Sequence, residues 1–297
     1  MTVYPKNVVI IGGGVIGVEF ATILGGFGSR VTIVEMLPRL LPEMDADIAK
    51  LLRRRLEKSG ATIHTAAKLL RVGRKGSGIV CFIESEGKQL EFETDAVMTA
   101  TGRRPAADGL GLAALGLATE KNGGIKTNDS MQTALPHVFA IGDVTGRSML
   151  AHVATAQAKT AANVIAGKPS CFDWRIIPSC VYTKPEAAGV GLTEEAARTQ
   201  GLNVKIGKSW GKANGKSLLM GETEGFVKLV ADTATGEIVG AHLFAPRASD
   251  MIAELCLALK LECTVKELAE TIHPHPTVSE MIKDAAERMI NNNSQAR

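Results

Sequence analysis

The stretch Val8-Val-Ile-Ile-Gly-Gly-Gly-Val-Ile-Gly17 decides the fold of the first third of the chain. Its apolar residues predict a short buried strand, and the glycines that follow have the spacing G-x-G-x-x-G. A helix is predicted from Val18 to Gly26, and a second strand over residues 30–34. Strand, glycine turn, helix and strand together form the βαβ unit that binds dinucleotides.

Each glycine of this turn has a physical role. Gly12 allows the tight turn, Gly14 lets a pyrophosphate approach the backbone, and Gly17 lets the helix pack close to the strand. The start of the helix supplies free N–H groups and a positive dipole to the phosphates. We therefore count Val15 and Ile16, which lie between the glycines, with the cofactor-binding residues.

Glu35 directly follows the second predicted strand. A carboxylate at this position accepts hydrogen bonds from the adenosine ribose hydroxyls and repels the 2′-phosphate of NADP. We therefore expect NAD rather than NADP. The glycines alone leave open whether the turn holds NAD or the ADP part of FAD.

Length and composition limit the class of protein. A chain of 297 residues should form two or more domains. A net charge of +3 gives no reason to expect nucleic acid, and no apolar run is long enough to span a membrane. The five cysteines form no C-x-x-C pair, which suits free thiols in a reducing cytosol, so we expect a cytoplasmic protein.

The rest of the first third continues the α/β pattern. Asp45 is placed to cap a helix that runs to about Lys58, and strands are predicted at residues 79–83, 90–92 and 96–100. The segment Thr101-Gly-Arg-Arg-Pro105 then marks the exit from this domain, because glycine and proline interrupt regular structure.

The middle of the chain holds a second polar group after a predicted strand. Leu135-Pro-His-Val-Phe-Ala-Ile-Gly-Asp143 predicts a turn, a buried strand and an aspartate that can accept hydrogen bonds from a ligand hydroxyl. The local pattern by itself favours a turn or helix-capping aspartate. Met149-Leu-Ala-His152 is predicted to open a helix to about Ile165, with His152 as a packed or capping residue.

From Ile176 onward, strands come first and helices last. This order is typical of an antiparallel sheet covered by helices on one face. The predicted strands are residues 180–182, 204–210, 226–231 and 238–244. The predicted helices are residues 194–200, 249–260, 265–270 and 278–291.

The most informative side chains lie in His273-Pro-His-Pro-Thr-Val-Ser-Glu280. Prolines fix the backbone on both sides of His275, and a histidine held by a carboxylate such as Glu280 is a general base near neutral pH. Thr277-Val-Ser-Glu280 also has the S/T-x-x-E form of a capping box, as does Thr264-Val-Lys-Glu267. By spacing alone, the two interpretations of Glu280 are evenly matched.

Two further expectations concern the same segment. We expect the His275–Pro276 peptide bond to be cis and His275 to bond Glu280, because an X–Pro bond gives up only about 0.5–1 kcal/mol on becoming cis. Two histidines without further ligands make a weak metal site, so we predict no metal.

Together these motifs resemble the dihydrolipoyl dehydrogenases, which are flavin-dependent disulfide reductases. The resemblance covers essentially the whole chain and corresponds to the C-terminal two-thirds of that family. Its most specific parts are Val138-Phe-Ala-Ile-Gly-Asp143, Val181-Tyr-Thr-Lys-Pro-Glu186, Val190-Gly-Leu-Thr-Glu194 and His273-Pro-His-Pro-Thr-Val-Ser-Glu280.

The resemblance implies roles for the site residues. His275 is implied to deprotonate a dithiol, with Glu280 orienting it, at the flavin of the partner subunit in a homodimer. Glu19 matches a glutamate beside the nicotinamide, whereas its position alone fits an ordinary helix-surface glutamate. Gly12, Gly14, Gly17 and Glu35 match the family's NAD site.

The implied flavin contacts lie in the middle of the chain. Asp143 matches the aspartate that binds the ribityl or phosphate region of FAD. Leu150, Ala151 and His152 match the helix start under the flavin ring. Gly102 lies in a segment that also agrees with the family, and we count it with the cofactor-binding residues.

The fold implied is α/β, in three parts. A Rossmann-like NAD-binding domain covers residues 1–104, a remnant of a FAD-binding domain covers residues 105–172, and an α+β dimerisation domain with an antiparallel sheet covers residues 173–297. The implied reaction is dihydrolipoamide plus NAD⁺ giving lipoamide plus NADH. The implied partner is the lipoyl-bearing protein of a 2-oxoacid dehydrogenase or glycine cleavage complex.

Two departures from the family pattern bear on activity. The family's N-terminal FAD-binding segment, with its C-x-x-x-x-C redox pair, has no counterpart in this sequence, so we expect the chain alone to be inactive and not to retain FAD. Val153-Ala-Thr-Ala-Gln157 also replaces a more polar sequence that ends in glycine.

The alternatives are a non-catalytic NAD-binding dimeric fragment and another flavin disulfide reductase. Glu35 argues against the NADPH preference of glutathione and mercuric reductases.

Overall fold

The computed structural model describes residues 4–76 and 78–294. Contacts divide the chain into two compact units. One consists of Met1–Thr101 together with Pro178–Arg297, and the other is Gly102–Ile177. Among the described residues, no helix is long and apolar enough to cross a membrane.

The N-terminal part of the first unit contains the predicted parallel sheet. Its strands, in chain order, are β1 (Asn7–Ile11), β2 (Arg30–Val34), β3 (Thr62–His64), β4 (Ala67–Lys75), β5 (Gly78–Ser85), β6 (Lys88–Thr94) and β7 (Ala96–Thr99). Strands β3, β2, β1 and β7 form a parallel sheet in that order, and β4–β6 form a separate antiparallel sheet. Helices α1 (Val15–Gly26) and α2 (Ala46–Lys58) connect β1 to β2 and β2 to β3.

Alternate residues of β1 face two different cores. Val8 and Ile10 pack with the buried side chains of α1 and α2, whereas Val9 and Ile11 pack with buried residues of β4 and β5. A strand that is buried on both faces requires a continuous apolar sequence. This is why the apolar run before the glycines fixes the fold of this half.

The two helices differ in how closely the sequence predicted them. Asp45 caps α2 as expected, since its Oδ1 accepts a hydrogen bond from the N–H of Asp47 at 3.0 Å. Helix α1 begins at Val15, before the predicted start at Val18. Gly14, in extended conformation, is the N-cap, so the glycine turn sets the start of the helix and not the apolar periodicity.

The C-terminal part of the first unit is the predicted antiparallel sheet. Its strands are β8 (Ser179–Val181), β9 (Glu186–Gly191), β10 (Val204–Trp210), β11 (Phe226–Asp232) and β12 (Ile238–Ala245), in the spatial order β10-β11-β12-β9-β8. Its helices are α4 (Glu194–Thr199), α5 (Gly215–Met220), α6 (Ala248–Lys260), α7 (Val265–Glu270) and α8 (Glu280–Ser294). Helix α6 packs on β9 and β12, and α8 packs on β10 and β11.

The second unit contains α3 (Ala151–Ile165) and two short 3₁₀ turns, Leu112–Leu115 and Gly142–Thr145. The predicted buried strand before Asp143 is wrong: in this described segment only an isolated bridge pairs Gln132 with Phe139. The segment opposite this run, around Gln132, is interrupted at Met131, whose φ of 65° lies in the left-handed region. An apolar run without a regular neighbour to pair with cannot form a strand.

Candidate functional site

The glycine turn after β1 has the geometry that a dinucleotide requires. Gly12 has a φ of 107°, and a Cβ there would lie 2.3 Å from the carbonyl oxygen of Ala100. At Gly17 a Cβ would lie 1.9 Å from the carbonyl oxygen of Gly12. At Gly14 no heavy atom lies within 4 Å of a Cβ position, so space is open for a phosphate. The turn therefore fits a pyrophosphate, with two glycines imposed by close packing and one facing open space.

Gly13 is a fourth essential glycine, which the sequence analysis missed. A Cβ there would lie 2.4 Å from Cδ2 of Leu40. The N–H of Gly13 donates to Glu35 Oε2 at 2.6 Å, and its carbonyl accepts from the N–H of Leu41 at 3.0 Å. The G-x-G-x-x-G template leaves this position free, so only the run of three consecutive glycines, 12–14, could have indicated it.

Glu35 is buried beside the turn, with only 8% of its surface exposed. Its Oε2 accepts from Gly13, and its Oε1 accepts from the N–H of Leu37 at 2.7 Å. Each carboxylate oxygen has a second lone pair, so both can still accept from ribose hydroxyls. Glu35 therefore braces the turn and places a carboxylate beside it.

The start of α1 also suits an anion. Its N-cap, Gly14, provides no side-chain hydrogen bond, and its first turn holds no acidic residue. Val15 and Ile16 are 37% and 39% exposed. One turn later, Glu19 Oε1 accepts from the N–H of Tyr182 at 2.8 Å, which ties α1 to the chain just after β8.

The second unit contains the residues that the sequence assigned to a flavin. Asp143 lies in the Gly142–Thr145 turn, and its Oδ2 is 2.7 Å from the guanidinium of Arg103. Leu150, in extended conformation, is the N-cap of α3 and makes no side-chain cap, and Ala151 and His152 are exposed in the first helical turn. Gly102 is exposed, with a φ of 102°.

These residues fit only one end of a flavin. Asp143 offers carboxylate oxygens for ribityl hydroxyls, and the open first turn of α3 offers N–H groups. Gln157 supports this turn, because its Oε1 accepts from the N–H of Gly142 at 2.6 Å. Across the described residues, the turn after β1 is the only one with the G-x-G-x-x-G spacing, so these residues offer no second turn of this kind for the ADP half of FAD.

His275 and Glu280 form a hydrogen-bonded pair on the first unit. Nδ1 of His275 lies 2.9 Å from Glu280 Oε1, and the His275–Pro276 bond is cis, as predicted. An ionised carboxylate can only accept, so in the neutral imidazole Nδ1 carries the proton and Nε2 has the lone pair. The histidine side chain is 77% exposed, which leaves Nε2 accessible to a substrate.

The same carboxylate also holds the backbone before α8. Its Oε2 accepts from the N–H of Thr277 at 2.8 Å. That hydrogen bond, followed by the one from His275, lowers the pKa of Glu280. The dyad interpretation is therefore met by one oxygen, whereas the capping box is met only in part. Helix α8 begins at Glu280, and the hydroxyl of Thr277 donates to the carbonyl of Pro274, so Thr277 does not cap this helix. The backbone contact still fixes the carboxylate that orients the histidine.

His273 lies beside this pair and has a different environment. Its side chain is only 4% exposed. Nδ1 lies 3.1 Å from the carbonyl of Thr271, and Nε2 lies 3.0 Å from Glu254 Oε1 on α6. His273 therefore anchors the segment that presents His275. No group of three or more potential metal-ligating side chains is found in the described part of the chain.

Comparison with known families decides where this chain belongs. The model of the pyridine nucleotide-disulphide oxidoreductases matches residues 2–158, which is more than half of the chain. The chain belongs to the pyridine nucleotide-disulphide oxidoreductase family. The model of this family's dimerisation domain matches residues 177–286.

The similar proteins are longer than this chain. It is 44% identical to a dihydrolipoyl dehydrogenase of Thermus scotoductus over 96% of this chain and 62% of the relative. It is also 44% identical to one of Chlorobaculum tepidum, over 95% of this chain and 60% of the relative. The crystal structure of LpdA from Mycobacterium tuberculosis superposes with a TM-score of 0.89 at 28% identity, over 97% of this chain and 62% of that protein. The chain thus spans about three-fifths of the length of these relatives.

Proposed function

We propose that this chain is the NAD-binding and dimerising part of a dihydrolipoyl dehydrogenase, which converts dihydrolipoamide and NAD⁺ to lipoamide and NADH. The observation that carries the proposal is the His275–Glu280 pair, with Nδ1 held at 2.9 Å and Nε2 exposed. A base of this kind serves a dithiol, whose thiolate is the reactive form.

Two groups of residues, one for NAD and one for the dithiol, have separate tasks in this reaction. Gly12, Gly14 and Gly17 admit the pyrophosphate of NAD, and Glu35 accepts from the adenosine ribose. His275 takes a proton from the dithiol at Nε2, while Glu280 stabilises the imidazolium that results. When bound, the flavin supplies the electron transfer between dithiol and NAD⁺.

The remaining residues belong to the finer parts of the proposal. Glu19 lies beside the nicotinamide, and Asp143, Leu150, Ala151 and His152 contact FAD. The chain forms a homodimer in which each His275 serves the partner's flavin. The substrate reaches it on the lipoyl-bearing protein of a 2-oxoacid dehydrogenase or glycine cleavage complex.

The nearest alternative is a non-catalytic NAD-binding dimeric fragment, and it differs from this proposal in whether dithiol oxidation appears once an N-terminal flavin segment is supplied. With a single dinucleotide turn in the described residues, the chain alone holds no flavin and does not turn over. By itself it then behaves as a non-catalytic NAD-binding dimer. Another flavin disulfide reductase is the second alternative, and the buried charge of Glu35 disfavours the NADPH that such enzymes use.

The test is the effect of His275→Ala on two half-reactions. The chain is joined to the N-terminal flavin segment of the Thermus scotoductus relative, and dihydrolipoamide oxidation is compared with electron transfer from NADH to a dye. We expect the variant to slow the dithiol reaction by roughly 10²–10⁴-fold, since that is what a positioned base contributes. Transfer from NADH to the dye needs no dithiol base and should stay close to the parent rate.

Glu280→Ala and Glu267→Ala form a matched pair for the same assay. Both glutamates accept from the N–H of a threonine three residues earlier, but only Glu280 also bonds a histidine. Glu280→Ala should slow dithiol oxidation, whereas Glu267→Ala should leave it unchanged. Equal losses in both half-reactions for His275→Ala would assign His275 a structural role and refute the proposal.

A further inference from the structure

Lys228 lies on β11, in the dimerisation half, and its side chain is only 4% exposed. Its Nζ lies 3.0 Å from Asp45 Oδ2, 3.0 Å from Asp47 Oδ2 and 3.0 Å from Glu194 Oε2. Burial by itself would lower the pKa of Lys228, but the hydrogen bond to Glu194, the charge of Asp45 and the hydrogen bonds to Asp47 and Asp45 raise it above its usual value. Lys228 is therefore a permanently charged ammonium group inside the protein.

Asp45 depends on Lys228 more than the other carboxylates do. Its side chain is 2% exposed, whereas those of Asp47 and Glu194 are 40% and 33% exposed. Asp47 and Glu194 can turn toward water if Lys228 is lost, but Asp45 would remain as a buried carboxylate without its cationic partner, held only by the N–H of Asp47. Asp45 is also the N-cap of α2, so its position fixes where that helix begins.

A continuous set of contacts leads from Asp45 to the glycine turn. The N–H of Met44 donates to the carbonyl of Leu41 at 3.0 Å, and the N–H of Leu41 donates to the carbonyl of Gly13 at 3.0 Å. Leu40, which is 1% exposed, occupies the space that a Gly13 side chain would need. The segment 40–45 thus links the capped start of α2 to Gly13.

We propose that Lys228 is a positioning residue for the dinucleotide site. From strand β11 of the C-terminal antiparallel sheet, Lys228 holds Asp45 and the segment 40–45 in place. This segment in turn holds the Gly13 turn against Glu35. Without Lys228, Asp45 leaves its capping position to reach water, and the segment and the turn lose their fixed geometry. The inference rests on the proposed NAD binding at this turn.

The test compares the NADH affinity of two lysine variants by titration calorimetry on the whole chain. Lys208 is a matched control on the neighbouring strand β10, because its Nζ bonds Asp47 at 2.9 Å and does not bond Asp45. Lys228→Met should weaken NADH binding about 5–150-fold, the usual range for coupling between sites. Lys208→Met should leave the affinity near that of the parent.

A double variant separates positioning from a general loss of stability. Asparagine is as good an N-cap as aspartate but carries no charge that needs Lys228. Asp45→Asn combined with Lys228→Met should therefore recover most of the NADH affinity lost in Lys228→Met. Parent-like NADH affinity in Lys228→Met, even with a lower melting temperature, would overturn the inference.

Hydrogen exchange of the parent chain decides the question if Lys228→Met does not fold. Saturating NADH should slow exchange at Leu41 and Asp47 as well as at Gly13. Protection confined to the glycine turn would overturn the inference while leaving NAD binding intact. A parent chain that binds no NADH at all would refute the proposed function and, with it, this inference.

Discussion

Glu280 shows how one residue can satisfy two patterns in the sequence. Its carboxylate orients His275 with one oxygen and receives the N–H of Thr277 with the other. Glu267 makes the same kind of backbone contact with Thr264 in a true capping box, without a histidine. The spacing T-x-x-E therefore accompanies the same backbone contact in both places but a complete capping box only at Thr264, and the preceding His-Pro distinguishes the catalytic candidate.

At the residue scale, a single added methyl group should disrupt the turn. In Gly17→Ala the new Cβ would lie 1.9 Å from the carbonyl oxygen of Gly12, so strand and helix must separate. We expect a loss of about 1–3 kcal/mol in the free energy of unfolding, typical of overpacking, together with weaker NADH binding. Urea unfolding and an NADH titration measure the two effects.

Gly25→Ala is the control in the same helix. No heavy atom lies within 4 Å of a Cβ at Gly25, so the added methyl group meets no obstacle. Alanine in place of a helical glycine should stabilise the chain by up to about 1 kcal/mol and leave NADH binding unchanged. Parent-like stability and NADH binding in Gly17→Ala would contradict the close approach of Gly17 to the carbonyl oxygen of Gly12.

At the scale of elements, charged groups between α2, α4 and β11 make the stability depend on pH. Burial alone would raise the pKa values of Asp47 and Glu194, but hydrogen bonds from Lys208 and Lys228 to Asp47, and from Lys228 and Arg198 to Glu194, lower both. A carboxyl whose folded pKa is lowered stabilises the fold fully above its unfolded pKa and loses that contribution as the pH falls through the folded value.

The free energy of unfolding should therefore decrease as the pH falls below the ordinary pKa values of these carboxyls, 4.5 for Glu194 and 3.8 for Asp47. Asp47→Asn removes one of the two groups and should make this decrease smaller. Urea unfolding of both proteins at a series of pH values gives, for each, the slope of the free energy of unfolding against pH. The same slope in Asp47→Asn and the parent would contradict the assignment of Asp47.

The sequence predicted those elements whose own pattern is sufficient to define them. The βαβ unit, α2, β10–β12 and α6 are among these elements, and α2 has both an apolar face and a capping residue. Strands β3, β4 and β9 and helix α5 were not predicted. Glu186-Ala-Ala-Gly-Val-Gly191 is small and glycine-rich, and it becomes a strand only by pairing with β8 and β12.

The site was predicted to a similar degree, and for similar reasons. The glycine template and the His-Pro-His-Pro segment are local, so the sequence indicated both. Lys228 depends on carboxylates that lie far away in the chain, at positions 45, 47 and 194. Its only local signal is a lysine within a strand of otherwise apolar, buried residues.

At the scale of the whole molecule, we expect a homodimer formed through the half that matches the family's dimerisation domain. Leu257 and Leu261 on and after α6 are 59% and 65% exposed, and they lie one helical turn apart. Leu257→Glu should shift the protein toward monomer in sedimentation velocity. Leu115→Glu, at a 48% exposed site in the second unit, should leave the dimer intact. A parent chain that is monomeric at micromolar concentration would contradict this prediction.

We infer that the turn after β1 is a site for NAD and that Glu35 is the residue that excludes NADP. Titration calorimetry of the purified chain with NADH and with NADPH tests it most directly, in the parent and in Glu35→Gln, which keeps an acceptor for Gly13 but removes the charge. The parent should bind NADH more tightly than NADPH, and the difference should narrow in Glu35→Gln. Equal affinities in the parent, or no binding of either nucleotide, would contradict the account.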